Sequence, residues 1–301
     1  MLTPVSRRRG FTLTEMLFVL VIFGLVAGAT MRIIVRQQKF YAGTTDLMAM
    51  RNTLRDLGEA IPTDLRGISS IGGDILSMSD SAIDFRLPTG ITVICTIGAL
   101  RTTVVVPPTT LSSRTALTTW IAAPTIGDIA FVYNEGATSA VSDDSWQQVA
   151  VSAAPIAGSC PTYTSSPTEA ANALTLTFGT ALVANVVPGS VIRFYREAKY
   201  KLYKPAGSNS WYLGYMDCPG GVCGTMTAVA GPYLAYSATP ANTGLLFVYR
   251  DQTGAITATP AQVARIDIIA KAQTERPIRM PGRPEDYFSD SLVVTVALRN
   301  R

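Results

Sequence analysis

The chain has 301 residues, 48% of them hydrophobic and only 15% charged, with a formal net charge of +4. Three of those charges are Arg7, Arg8 and Arg9, so the remainder is close to neutral and carries no general attraction for a polyanion. There is no histidine, which excludes Ser-His-Asp and Cys-His catalysis and every His-ligated metal site.

The first element is N-terminal. The string RRRGFTLTEMLFVLVIFGLVAGATM occupies residues 7–31, a basic cluster followed by an almost unbroken apolar run. From Phe11 to Met31 it has about the 20 residues needed to cross a bilayer as a helix, and the arginines should stay on the cytoplasmic side. Glu15 interrupts the run. A carboxylate at the edge of a membrane is costly and is rare unless something uses it. Two other signals share these residues. Ala27-Gly28-Ala29 has the form of a secretory cleavage site, which would leave a soluble chain starting at Thr30. Arg8-Arg9-Gly10-Phe11 partly fits a twin-arginine signal. Glu15 inside the apolar region argues against the first, and the strongly apolar segment that follows argues against the second.

The string Gly10-Phe11-Thr12-Leu13-Thr14-Glu15 resembles the class III signal of type IV prepilins. The resemblance implies cleavage by a prepilin peptidase between Gly10 and Phe11, and methylation of Phe11 as the new first residue. Glu15 becomes the fifth mature residue, the position associated with assembly through the N-terminal amine of a neighbouring subunit. The partners implied are the prepilin peptidase, other pilins or pseudopilins, and the bacterial inner membrane. The expected location is a single pass with the head in the periplasm, followed by a pilus or pseudopilus.

The helical pattern continues past Arg32. Leu47, Met50, Leu54, Leu57 and Ile61 alternate spacings of three and four, one apolar face of a helix, and Pro62 is expected to end it. A helix over 11–61 would be roughly 75 Å long. Gly24 and Gly28 form a GxxxG spacing suited to close helix packing. Residues 36–66, with Arg36-Gln37-Gln38 at one end and Asp64-Leu65-Arg66 at the other, resemble W-type minor pilins and J-type pseudopilins.

From there on the chain reads as short strands between turns: 82–86, 91–96, 102–106, 128–133, 174–178, 191–196, 200–203, 211–215, 245–249, 263–270 and 292–298. No proline falls inside these runs, and sheets of hairpins are expected. The Ser-, Ala- and Thr-rich stretch 137–166 reads as long loops. Cys218 and Cys223 enclose a short glycine-rich loop that a local disulfide would close, which leaves Cys95 and Cys160 to pair by elimination. The sequence leaves other pairings open. Asp143-Asp144 and Glu285-Asp286 read as solvated loop charge, with calcium the alternative. Trp211, Tyr212 and Tyr215, with Lys199, Lys201 and Lys204, read as core on one strand face and a wet lysine face on the other. A sugar, DNA or subunit contact is the alternative there.

The expected fold class is α+β and pilin-like, with a leader (1–10), a helix (11–61, membrane-spanning over 11–31) and a β-rich head (62–301). The expected function is that of a minor pilin or pseudopilin that primes or caps a filament. The alternatives are a type II secretion pseudopilin and a DNA-receptor or adhesin head, and nucleic acid has no positive support in the sequence. No catalytic residue, metal or cofactor is expected.

Overall fold

The computed structural model describes residues 12–138, 140–274, 276–279 and 284–298. Helix α1 (Leu13–Leu65) comes first. Sixteen strands follow among the described residues. β1 (Ile75–Met78), β2 (Ala82–Val93), β3 (Thr96–Ile97), β4 (Thr103–Val106) and β5 (Thr119–Trp120) form the first group. β6 (Ile129–Asn134), β7 (Ser145–Gly158), β8 (Ala173–Phe178), β9 (Val191–Tyr203), β10 (Trp211–Asp217) and β11 (Thr227–Tyr233) make the second. β12 (Leu245–Arg250), β13 (Arg265–Gln273), β14 (Ile278–Arg279), β15 (Glu285–Asp286) and β16 (Ser289–Ala297) close the chain. A short helix α2 (Pro167–Ala170) precedes β8 and is capped by Ser166, whose side chain accepts from Glu169 N–H.

The chain divides into two compact units, residues 1–51 with 273–289, and residues 52–272 with 290–301. In the first, the β14–β15 hairpin segment lies on the helix. Arg276 Nε stands 3.7 Å from Asp46 Oδ2. A Cβ on Gly43 would sit 3.4 Å from Ile278 Cγ2, so the segment approaches the helix where it has no side chain.

The second unit is an α+β head. Its main sheet has 11 strands in the order β1-β2-β9-β6-β7-β8-β4-β3, with β10 also on β9, β11 on β10 and β5 on β2. A second sheet has the order β12-β13-β16. One face of the large sheet carries Ala130, Val132, Val149, Val151, Ile192 and Phe194, and Val104, Val106, Leu176 and Phe178 from its strands β4 and β8 join them, with Leu182 and Val186, in one apolar cluster. Elsewhere on the sheet, Phe85 stacks on Tyr200 at 5.6 Å.

The last turns of α1 pack into this head. Leu54, Leu57, Ile61 and Leu65 are buried at the spacing of one helical face. Thr53 Oγ1 donates to Gly231 C=O at 3.0 Å, and Tyr233 Oη donates back to Thr53 C=O at 3.1 Å. Tyr200 Oη donates to Asp64 Oδ2 at 2.6 Å. A Cβ on Gly58 would stand 3.2 Å from Leu292 Cδ2, so β16 lies close against this side of the helix.

Burial pushes the Asp64 carboxyl above the usual carboxylate range, partly offset by the Tyr200 hydrogen bond. A raised folded pKa means the neutral acid suits the fold. Stability is therefore complete below the unfolded pKa and is lost as pH rises through the folded value. Asp64→Asn, which keeps an acceptor without the charge, should raise the unfolding midpoint at pH 7. The gain should shrink as pH falls below 4. A less stable variant at pH 7 would show that the charged hydrogen bond outweighs the cost of burial.

Three expectations are corrected. The helix does not stop at Ile61: Pro62 lies inside it, and one more turn runs to Leu65. Proline removes one backbone bond there, but the added turn buries Leu65 completely. Residues 137–166 are not long loops throughout, because they contain β7, a strand of 14 residues. Its inward side chains are small or spaced by alanine, and β6 and β8 supply the pairing that holds it extended. Finally, the run 82–86 and the start of 91–96 are one strand, β2, which passes through Pro88 beside a register shift. The runs 191–196 and 200–203 are likewise one strand, β9, which pairs with β2, β6 and β10.

Candidate functional site

Gly10 and Phe11 lie outside the described residues, so the site begins at Thr12. Thr12 and Glu15 form a reciprocal cap on the first turn of α1. Glu15 N–H donates to Thr12 Oγ1 at 3.3 Å, and Thr12 N–H donates to Glu15 Oε2 at 3.0 Å. Thr12 Oγ1 also donates to Glu15 Oε2 at 3.1 Å. The arrangement satisfies two of the amides that a helix start leaves unpaired and sets a carboxylate at the positive end of the helix dipole. Thr12 is a capping partner of Glu15 that the sequence pattern had not singled out. The spacing Thr-x-x-Glu before an apolar run was the available signal.

Behind the cap the helix is apolar on every side. The helix is long and apolar enough to cross a membrane, and none of its most apolar stretch is buried within the chain. Phe18, Phe23 and Leu25 are each at least 70% exposed. Around Gly24 and Gly28, no described atom stands within 4 Å of where a Cβ would be. Thr30 turns its hydroxyl inward to Val26 C=O at 2.9 Å, which removes a free donor from the apolar surface.

The head places the other sequence candidates as structure. Cys95 is bonded to Cys160 and Cys218 to Cys223. The first pair is buried with Ala173. The aromatic–lysine cluster is split between two faces. Tyr215 pairs with buried Tyr200, their rings 5.2 Å apart. On the opposite face Tyr212 pairs with Tyr203, and Lys199 is ion-paired to Asp84 at 3.0 Å. Asp143 accepts from the amides of Ala137 and Thr138, and Asp144 accepts from Tyr133 Oη at 2.7 Å. Among the described residues no three His, Cys, Asp or Glu side chains gather as a metal site would require.

A long apolar helix, capped at its start by an acid and ending in a β-rich head, defines the class of single-helix, pilin-like proteins by architecture. Residues 5–31 match the family model described as the prokaryotic N-terminal methylation motif. That match supports a type IV prepilin-like signal, and with it a precursor of the pilin or pseudopilin type. It implies processing by a prepilin peptidase and assembly with other pilins, and it marks a class of structural proteins that is generally non-enzymatic. Together with the apolar helix it suggests a membrane-anchored protein. No curated protein and no solved structure matches the chain.

Proposed function

We propose that this protein is a minor pilin or pseudopilin that primes or caps a type IV pilus-like filament. The observation that carries the reading is the methylation motif over residues 5–31, continuous with an exposed apolar helix from Leu13. Cleavage between Gly10 and Phe11 frees the α-amine of Phe11, which is then methylated. The precursor waits in the inner membrane with its head in the periplasm. The minor role is favoured by the head, whose bulk packs poorly along a shaft.

Assembly follows from two costs of the unassembled subunit. Its helix exposes apolar side chains that only lipid or other helices can cover. Its Glu15 carboxylate is half used: Oε2 holds the Thr12 donors, while Oε1 has no hydrogen-bond partner among the described residues. A neighbour's α-amine would supply a charge-assisted partner to Oε1 without breaking the cap. A pseudopilus of a type II secretion system uses the same physics. The likeness of 36–66 to J-type pseudopilins keeps that as the second reading.

The test is the intact mass and N-terminal sequence of the protein from native membranes, followed by filament incorporation of Glu15→Ala. A chain starting at Phe11 is expected, with the variant processed normally but incorporated at least tenfold less. A chain starting at Thr30 would overturn the reading, as would normal incorporation of the variant for the role of Glu15.

A further inference from the structure

The solvent face of an antiparallel sheet is ordinarily polar. The large sheet breaks this pattern on the face opposite its core. Register places Ile91, Arg193, Phe131 and Gln148 side by side across β2, β9, β6 and β7. Next along, Tyr133 meets Trp146 with ring centroids 5.4 Å apart, and on the other side Phe131 meets Tyr195 at 5.4 Å. Arg193 lies over the Trp146 ring at 4.7 Å. Ile91 is 44% and Trp146 40% exposed, and Arg193 is exposed at the centre without an ion pair among the described residues.

From this arrangement we infer that the face centred on Arg193 and Trp146 is the docking surface for the head of a different pilin-type subunit, one that offers a carboxylate within an apolar surround. The inference rests on the filament-subunit reading. Aromatic side chains with a central arginine, and no lysine, are the composition of interface hot spots. Arg193 fixes the partner's charge: an exposed guanidinium with apolar neighbours gains most from an acid that is desolvated with it.

The same geometry disfavours other occupants. A nucleic-acid strand needs a track of cations. Here Arg193 stands at the centre and Arg86 lies over Phe131 at 5.9 Å, two cations and no continuous track, while the carboxylates Glu135, Asp143 and Asp144 surround Tyr133 at one end. A sugar needs an open ring face, but Trp146 is already covered by Arg193 and Phe131 by Arg86. Two copies facing each other through this patch would bring guanidinium towards guanidinium. Strand and residue spacings give the patch roughly 300 Å². That is well below the ~800 Å² per partner of a stable free complex. It suffices for a neighbour already held nearby by its own membrane helix, where the effective concentration is high.

The test places a photo-crosslinking residue in the full-length chain at Trp146 or Ile91, in cells that carry the filament system. Ile156, 63% exposed and farther along β7, is the control position. Crosslinking from 146 and 91, but not 156, should yield an adduct to another pilin-type subunit, with an Asp or Glu in the joined peptide. Adding Arg193→Glu should cut the yield at least tenfold, whereas Arg193→Lys should cut it less than threefold. No adduct from either position, an adduct to DNA, glycan or a second copy, or a yield indifferent to Arg193→Glu would overturn the inference. The intact mass of the same preparation separates the two readings. A chain starting at Phe11 without adducts refutes only the docking surface, and a chain not cut there refutes the filament subunit itself.

Discussion

Replacing Arg196 by methionine should destabilise the head by about 3–5 kcal/mol, the usual cost of leaving a buried charge without its partner. Asp128 has a side chain with no exposure at all. Arg196 holds it with two parallel bonds, Nε to Oδ1 and Nη2 to Oδ2, both at 2.8 Å. The same guanidinium donates to Thr125 Oγ1 at 3.0 Å and approaches Asp217 at 3.8 Å, so it ties β9 to the turn before β6 and to the end of β10. After the substitution Asp128 Oδ2 keeps the Thr125 amide at 2.8 Å and the Thr125 hydroxyl at 3.3 Å, and the carboxylate loses both charge-assisted donors. Urea unfolding of the detergent-solubilised full chain, followed by tryptophan emission, reads the loss. The double variant Arg196→Met, Asp128→Leu should recover most of it, because the charge that needed a partner is then gone. A single variant that loses less than 1 kcal/mol would show that the amide and hydroxyl of Thr125 carry Asp128.

The second large effect separates the two disulfides. Cys95–Cys160 closes a sequence separation of 65 residues and Cys218–Cys223 one of 5. By loop-closure entropy the first should stabilise by about 4 kcal/mol and the second by about 2 kcal/mol. Cys95→Ser with Cys160→Ser should therefore lower the unfolding midpoint about twice as far as Cys218→Ser with Cys223→Ser. The long-range bond also sits in a buried pocket with Ala173, and two hydroxyls there would lack the apolar match that sulfur provides. Equal losses from the two double variants would mean that the unfolded chain already holds residues 95 and 160 close together.

Both effects lie in the head, while the proposed function lies at the other end of the chain. The N-terminal signal needs only local order: a cap, an acid and an apolar helix. The head needs many distant pairings to hold a shape that a neighbour could recognise. Loss of stability in the head should thus reduce the amount of protein before it changes processing at Gly10–Phe11, which makes the two properties separable by experiment.

Features set by short-range physics are legible in the residues alone. The apolar run of α1, its stripe from Met50 to Ile61 and the alternation of 191–196 are periodicities within one element, so they could be read without knowing any partner. The motif around Gly10, Phe11 and Glu15 is local in the same sense. The remaining features come from contacts between distant parts of the chain. The helix passes Pro62 because burying Leu65 in the head offsets one missing hydrogen bond. β7 forms among alanines and serines because β6 and β8 hold it from both sides. β9 becomes one strand of 13 residues because three other strands pair along it. Arg196 finds Asp128 across 68 residues, and Arg193 finds Trp146, only once β6, β7 and β9 are in register. Such contacts depend on loop closure and strand order, and no local window of residues carries that information.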